Sequence, residues 1–362
     1  MSIPKFAHVP QSFHAELKRR IQQYFEESGK PTTGNFALFF KALFFMISVA
    51  AVYIHLVFFT PPVFFQVLES IVLGCLVAGI GFNVMHDGSH GSFSDNKWIN
   101  TFAAFSLNIL GGSSFMWNVK HNIIHHAFTN VDGYDDDIDI QPFMRMSTTQ
   151  KKLKMHKFQH LYFWLLYSLL YILWIFVLDY TKYFRKKIGN VQLKHMDLYD
   201  HIVFWSFKVV NLTLYVLLPI YMLGFKTWLI GFLIFTVVTG LVISLVFQLA
   251  HTVENTSFPM PDAITNKLED EWAVHQLKTT ANFATNNVLV SWLVGGLNFQ
   301  VEHHLFPKIS HVHYPAISKI VKKACADYGI PYLEYPRVRQ AIASHIAFLK
   351  HMGTAEMALA TA

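Results

Sequence analysis

Charge is scarce in this 362-residue chain: only 14% of its residues are Asp, Glu, Lys or Arg, against about 25% in ordinary soluble domains. A water-covered fold is therefore a poor expectation. Disorder is excluded as well, because disordered chains are charged and short of apolar residues. Cysteine is scarcer still. Cys75 and Cys325 are the only two, too few for a disulfide framework, and no Cys-x-x-Cys pair offers zinc binding or thiol redox chemistry. No internal repeat or low-complexity linker divides the chain, so a single domain is expected. A signal-peptide pattern is also missing. Lys18-Arg19-Arg20 precedes an apolar run far too long for a cleaved segment, which is expected to remain in the mature protein.

Apolar and aromatic residues are abundant, with 53% hydrophobic residues including 34 Phe, 15 Tyr and 8 Trp and a mean hydropathy of +0.32. That surface needs lipid to cover it. Four stretches reach the ~20 apolar residues that a bilayer core requires: Phe36 to Phe59, Val63 to Met85, Ile202 to Leu223 and Thr227 to Ala250. Thr60-Pro61-Pro62 and Gly224-Phe225-Lys226 pair them into two hairpins. A fifth run, Leu161 to Leu178, is equally apolar. The net charge of +6 is modest, and its placement decides the topology. Basic residues number five before the first span, seven from Lys97 to Lys157, five from Lys182 to Lys194 and nine after the last span, whereas the hairpin turns hold only Lys226. The positive-inside rule then places both termini and both long connections in the cytoplasm. Leu161 to Leu178 is accordingly expected to lie in the interface or re-enter. The expected fold is an all-α integral membrane protein: four transmembrane helices in two hairpins, interfacial helices and a cytoplasmic histidine-rich cap.

Histidine is the second excess, 20 against 23 acidic residues. His86 and His90 are i,i+4 neighbours that share a face if the second span's helix continues through them, a spacing that a simple surface pair also satisfies. In His121-Asn-Ile-Ile-His125-His126 the first two share a face and the third turns away, so one helix can address two metal ions. Gln300, His303 and His304 stand at i, i+3 and i+4. His251 closes the last span at its cytoplasmic mouth. All eight rings fall on one side of the membrane under the charge count and can converge. Eight imidazoles exceed what one four-coordinate zinc uses, which implies two transition ions. Such ions at the edge of a hydrocarbon layer suit oxygen activation. No Glu-x-x-His, the ligand pattern of soluble di-iron bundles, occurs in the spans.

At these residues the chain resembles the membrane fatty acid desaturases, whose three boxes read His-x(3-4)-His, His-x(2-3)-His-His and His/Gln-x-x-His-His. The resemblance runs from about Phe36 to Pro315 and includes Trp117-Asn118-Val119-Lys120 and Gly295-Gly296-Leu297-Asn298. Gln300 in Gln-Val-Glu-His-His-Leu-Phe-Pro307 resembles the front-end subgroup, which inserts a cis double bond between an existing one and the carboxyl end. The resemblance implies two non-haem iron ions held by His86, His90, His121, His125, His126, His251, His303 and His304. Gln300 stands at or near a ninth position, binding directly, acting through water or holding a neighbouring ring. It also implies O2 as co-substrate, an acyl-CoA or acyl-lipid substrate, and a multi-pass protein with its active site on the cytoplasmic face, in a bacterial inner membrane rather than the endoplasmic reticulum. Many front-end members carry a fused cytochrome b5 domain with a His-Pro-Gly-Gly motif. That motif is absent here, so the electron donor is expected to be separate, a ferredoxin or free cytochrome b5. Lys151, Lys152, Lys154, Arg185, Lys186 and Lys187 could attract an acidic donor, although lipid headgroups account for most such residues. No nucleic-acid partner is expected.

His275, His311 and His313 lack paired spacing and are assigned structural or supporting roles. Asp87 and Glu302, inside the boxes, are the better candidates to orient ligand rings; the run Asp135-Asp136-Asp137 could do the same, although such a run is usually solvated. A hydroxylase on the same scaffold is the close chemical rival. A metal transporter is the distant one, since it would carry its histidines at mid-membrane.

Overall fold

The computed structural model describes residues 3–10 and 12–357. The protein is a mostly helical, multi-pass membrane protein. Lipid offers no partner to backbone N–H and C=O groups, and a helix satisfies them within one segment. Among the described residues, five helices are long and apolar enough to cross a bilayer: Phe36–Phe59, Val63–His90, Lys154–Arg185, Leu198–Leu223 and Phe225–His251. Four of them correspond to the expected spans. Length and apolar composition make Lys154–Arg185, an unbroken 32-residue helix, a fifth candidate where only an interfacial or re-entrant segment was expected.

The two hairpin turns are built as their residues dictate. Thr60 adopts a left-handed conformation and Pro62 caps the next helix. Gly224 sits at φ 78°, ψ 155°, a region open essentially to glycine. Phe36, Phe40 and Phe64 are 83%, 62% and 72% exposed, a surface that only lipid can cover. Between helices the packing depends on small residues. A Cβ on Gly240 would meet the Ser168 carbonyl oxygen at 2.6 Å, and one on Gly74 the Phe235 carbonyl oxygen at 2.8 Å, so these backbones approach as closely as small residues permit. Polar side chains inside the bundle bond across it: Thr239 Oγ1 donates to the Gly74 carbonyl at 3.2 Å and Ser244 Oγ to that of Tyr167 at 3.3 Å.

The cap is assembled from the chain's two ends. Phe13, Leu17 and Ile21 on helix Phe13–Ser28 pack against Ile317 and Val321 of helix Tyr314–Tyr328, over Val301 and Leu305 of the third histidine box. Helix Val338–Thr354 lays Phe348, Leu349 and Met352 on Phe163 and Tyr167 of Lys154–Arg185. That long helix is tied to the cap at both ends. Gln159 Nε2 donates to the carbonyls of Arg145 and Leu349, and Lys182 Nζ donates to Asp136 at 2.7 Å. Ile188, in the hairpin Lys187–Ile188 with Val191–Gln192, is buried on Val119 and Ile124 of the second box.

Candidate metal centre

The eight histidines singled out by spacing come together, drawn from four separate parts of the chain. His86 and His90 extend the helix Val63–His90 beyond the apolar stretch, as their i,i+4 spacing requires. His251 ends Phe225–His251. His303 and His304 lie on the short helix Gln300–Leu305, which is brought to box one by the turn before it. There Gly295, at φ 61°, passes so close to the Phe82 carbonyl that no side chain fits.

Two groups of rings result. Ligand atoms of His86, His90, His121 and His303 lie within 4.8 Å of one another, as do those of His125, His251 and His304. His126 stands between them, its ring centroid 4.6 Å from that of His303 and 4.5 Å from that of His304. The second box departs from the α-helical reading. Residues Asn118–His125 form a π-helix, and the His126 N–H bonds back to the His121 carbonyl, five residues earlier. That i→i+5 pattern makes His126 a neighbour of His121, with their Nε2 atoms 3.2 Å apart, instead of turning it away. Trp117 stacks on the His121 ring at 4.3 Å and closes one side.

The hydrogen bonds orient the rings consistently. Nδ1 of His125 faces both Asp135 oxygens at 3.1 Å, that of His251 the Thr279 carbonyl at 3.3 Å, that of His304 Gln276 Oε1 at 2.9 Å, and that of His303 the Tyr314 hydroxyl at 3.2 Å. In these four rings Nε2 is buried without a hydrogen-bond partner, as are His90 Nε2, His126 Nδ1 and both nitrogens of His86. A partner on Nδ1 with a bare Nε2 turned inward is how a protein presents imidazole to a metal. Burial, and then the neighbouring rings, push the pKa values of His121, His126, His303 and His304 well below the usual imidazole value, so these rings are neutral with lone pairs available. His125 differs: burial opposes its charge, but Asp135 and Asp137 outweigh it and hold its pKa above the usual value. Eight imidazoles gathered in this way fit two transition-metal ions.

The supporting groups were only partly legible. Asp87 bonds His311 and makes no hydrogen bond to a ring of the expected ligand set. Its Oδ2 accepts from Ser310 Oγ at 3.0 Å and meets His311 Nδ1 at 2.8 Å, while its Oδ1 is 3.8 Å from His86 Nδ1. His311 Nε2 is 2.7 Å from Lys41 Nζ. His313 bonds the Thr33 carbonyl and His275 packs on Phe6, both away from the rings. Glu302 is a correction. Its carboxylate turns from the histidines to Asn282 Nδ2 and the Tyr332 hydroxyl, each at 2.8 Å, and burial pushes its pKa up to about 7. A second correction is the aspartate run. Asp135 is 2% exposed and accepts the Asn130 N–H at 2.8 Å as well as facing His125. Asp136 and Asp137 are held by Lys120 and Lys182. Nothing in three consecutive aspartates marks the first as buried. Gln300 is buried with its Nε2 unpartnered.

Asp135→Asn is expected to weaken metal binding by about 10- to 100-fold, the usual effect of losing a carboxylate behind a ligand histidine. Titration of metal-stripped protein with Fe(II) checks this, and wild-type affinity would contradict it.

Comparison with known proteins places these residues in context. The Fatty acid desaturase family matches residues 61–336. The sn-1 linoleoyl-lipid 6-desaturase of Synechocystis sp. is 37% identical over 353 residues, covering 95% of this chain and 96% of that protein. The enzyme of the same description from Arthrospira platensis is 33% identical over 342 residues, covering 94% and 92%. An acyl-lipid (8-3)-desaturase of Physcomitrium patens is 34% identical over 353 residues, 96% of this chain and 73% of that protein.

Proposed function

Because the chain belongs to the fatty acid desaturase family, we propose that it is an acyl-lipid desaturase that introduces a cis double bond between an existing one and the carboxyl end of a long acyl chain. The overall reaction removes two hydrogens from adjacent carbons and, with two electrons and two protons, converts O2 to two waters. The observation that carries this reading is the pair of buried imidazole groups with bare nitrogens turned inward. His86, His90, His121 and His303 would hold one iron and His125, His251 and His304 the other, with His126 between them. Bound iron supplies the oxygen-activating redox chemistry that no side chain performs. The protein's own contribution is position and exclusion. Asp135, Gln276, Thr279 and Tyr314 fix the rings, and Trp117 and the buried cap keep water from them. The roles open to Gln300, binding iron directly, acting through water or holding a neighbouring ring, are separated by whether Gln300→Glu or Gln300→Ala changes the metal spectrum.

Four spans follow from parity. His125 and His251 share one group, so the chain between them crosses the membrane an even number of times. Leu198–Leu223 and Phe225–His251 form the tight hairpin. Lys154–Arg185, bound to the cap at both ends, therefore dips into the bilayer without completing a crossing. Positive charge assigns the cap to the cytoplasm, where Lys151, Lys152, Lys154, Arg185, Lys186 and Lys187 are exposed and available to an acidic ferredoxin or cytochrome b5.

Expression in a host fed linoleate tests the reading by chromatographic location of new double bonds. A new double bond on the carboxyl side of the existing one is expected. A hydroxylated product, or no new unsaturation in iron-loaded protein, would sink it.

A further inference from the structure

A cavity of about 690 Å³ lies beside the first histidine box, between helices Lys97–Ile109 and Leu198–Leu223. We propose that this cavity seats the ester linkage and phosphate-bearing head of a membrane glycerolipid whose acyl chain is the substrate, an inference that rests on the desaturase reading above.

Its lining joins an apolar wall, which includes Phe105, Phe115, Val203 and Phe204, to the polar groups that a lipid head needs. Ser89, Asn100, Thr101, Ser113 and Asn118 line it, and Lys97 and Lys308 stand on its wall. Both lysines are exposed, and neither has an ion-pair partner among the described residues. The two aspartates on the wall are already engaged. Asp95 accepts from Thr33 Oγ1 at 2.8 Å, and Asp200 accepts the Asp197 N–H at 3.1 Å as a helix cap. The cations are thus free to meet a phosphate.

Its position favours a lipid over a soluble thioester. The two flanking helices expose Trp98 (83%), Phe102 (67%), Leu198 (74%) and Tyr199 (58%). Apolar and aromatic side chains at a helix end next to a span seat in the interfacial layer of the bilayer. The mouth between them opens at headgroup depth, where a lipid enters sideways.

Its reach gives the front-end outcome a cause. His90 itself lines the cavity, and the His90 ring centroid is 4.8 Å from that of His126 and 4.9 Å from that of His303. A head held here leaves only a short stretch of acyl chain between the ester and the metal cluster. Reaction close to the carboxyl end then follows from where the head is anchored, by positioning alone.

The test uses purified enzyme in phosphatidylglycerol nanodiscs containing a diazirine on the headgroup. Photolabelling is expected at peptides spanning residues 97–118 and to be lost in Ala104→Trp, which fills the cavity. Labelling elsewhere, or equally in Ala104→Trp, overturns the proposal whether or not the enzyme turns over. In kinetics, the charge-reversed pair Lys97→Glu and Lys308→Glu, with thermal transition and iron content measured alongside, should raise KM for linoleoyl phosphatidylglycerol at least tenfold with kcat within twofold. An unchanged KM, or linoleoyl-CoA used as readily as the lipid by the wild type, contradicts it. Absence of turnover on every substrate would count against the desaturase reading, while the labelling result still decides the cavity.

Discussion

Replacing His121 with alanine is expected to abolish turnover and to lower bound iron well below that of the wild type. His121 has more ring neighbours than its spacing alone suggests. Its ligand nitrogen lies within 4.8 Å of those of His86, His90 and His303, and its Nε2 is 3.2 Å from that of His126. It is 3% exposed, and a water entering the space it leaves would lack the anchoring that fixes an imidazole on a metal. The loss should exceed the ~100-fold that removal of an outer hydrogen-bond partner brings. The structural side of the change is smaller. Removing a ring stacked on Trp117 leaves a cavity, but one lined by polar nitrogens that solvent can enter. Activity and iron should therefore fall together while the thermal transition of the metal-stripped protein stays close to that of the stripped wild type. Retained iron with lost activity would mean that His121 acts on substrate or oxygen and not as a ligand. Retained activity would remove it from the centre altogether.

The largest expected effect on stability lies elsewhere. Arg145 is fully buried and its guanidinium is satisfied entirely by backbone carbonyls. Nε donates to Gln150 at 2.9 Å. Nη1 donates to Met352 at 2.8 Å and Ala355 at 2.7 Å, and Nη2 to Thr148 at 2.7 Å and Glu356 at 3.3 Å. Those carbonyls include the unsatisfied C-terminal end of helix Val338–Thr354, so one side chain joins that helix to the loop before Lys154–Arg185. Arg145→Met fills the space but strands the two buried acceptors, the carbonyls of Gln150 and Met352, at about 1–3 kcal/mol each. Relief from burying the charge offsets part of this, leaving a loss of about 3–5 kcal/mol. Arg145→Lys should recover only part, since an ammonium cannot reach the same set of carbonyls from one planar fork. A thermal transition in detergent lowered by about 5 °C or more, with iron content normal below it, is the expected result. An unchanged transition would show that the link does not hold the cap together.

The parts of this architecture legible in sequence are those fixed locally. The apolar runs, the Pro61-Pro62 and Gly224 turns, and the histidine spacings are all short-range, and the eight rings they single out are the eight that converge. What was missed depends on distant partners. Three aspartates in a row look solvated until His125 and Asn130 fold against Asp135. Glu302 sits between ligands in sequence, yet on its helix it faces Asn282 and Tyr332. The π-helical segment at Asn118–His125 reverses the expected direction of His126, and a pattern of residues read with an α-helical period cannot disclose a five-residue hydrogen-bond register. The long helix Lys154–Arg185 is as apolar as the other candidate spans, and its ties to Arg145, Leu349 and Asp136 come from residues too distant in sequence to be read from its own composition.

The central claim is that eight imidazoles hold a coupled pair of irons at the membrane edge of the cap, and Mössbauer spectroscopy on 57Fe-loaded enzyme, with iron quantified per chain, tests it most directly. About two irons per chain in nitrogen-rich, non-haem sites that are magnetically coupled when oxidised is the predicted result. A single iron, uncoupled irons, or a preference for zinc with retained desaturation would contradict it.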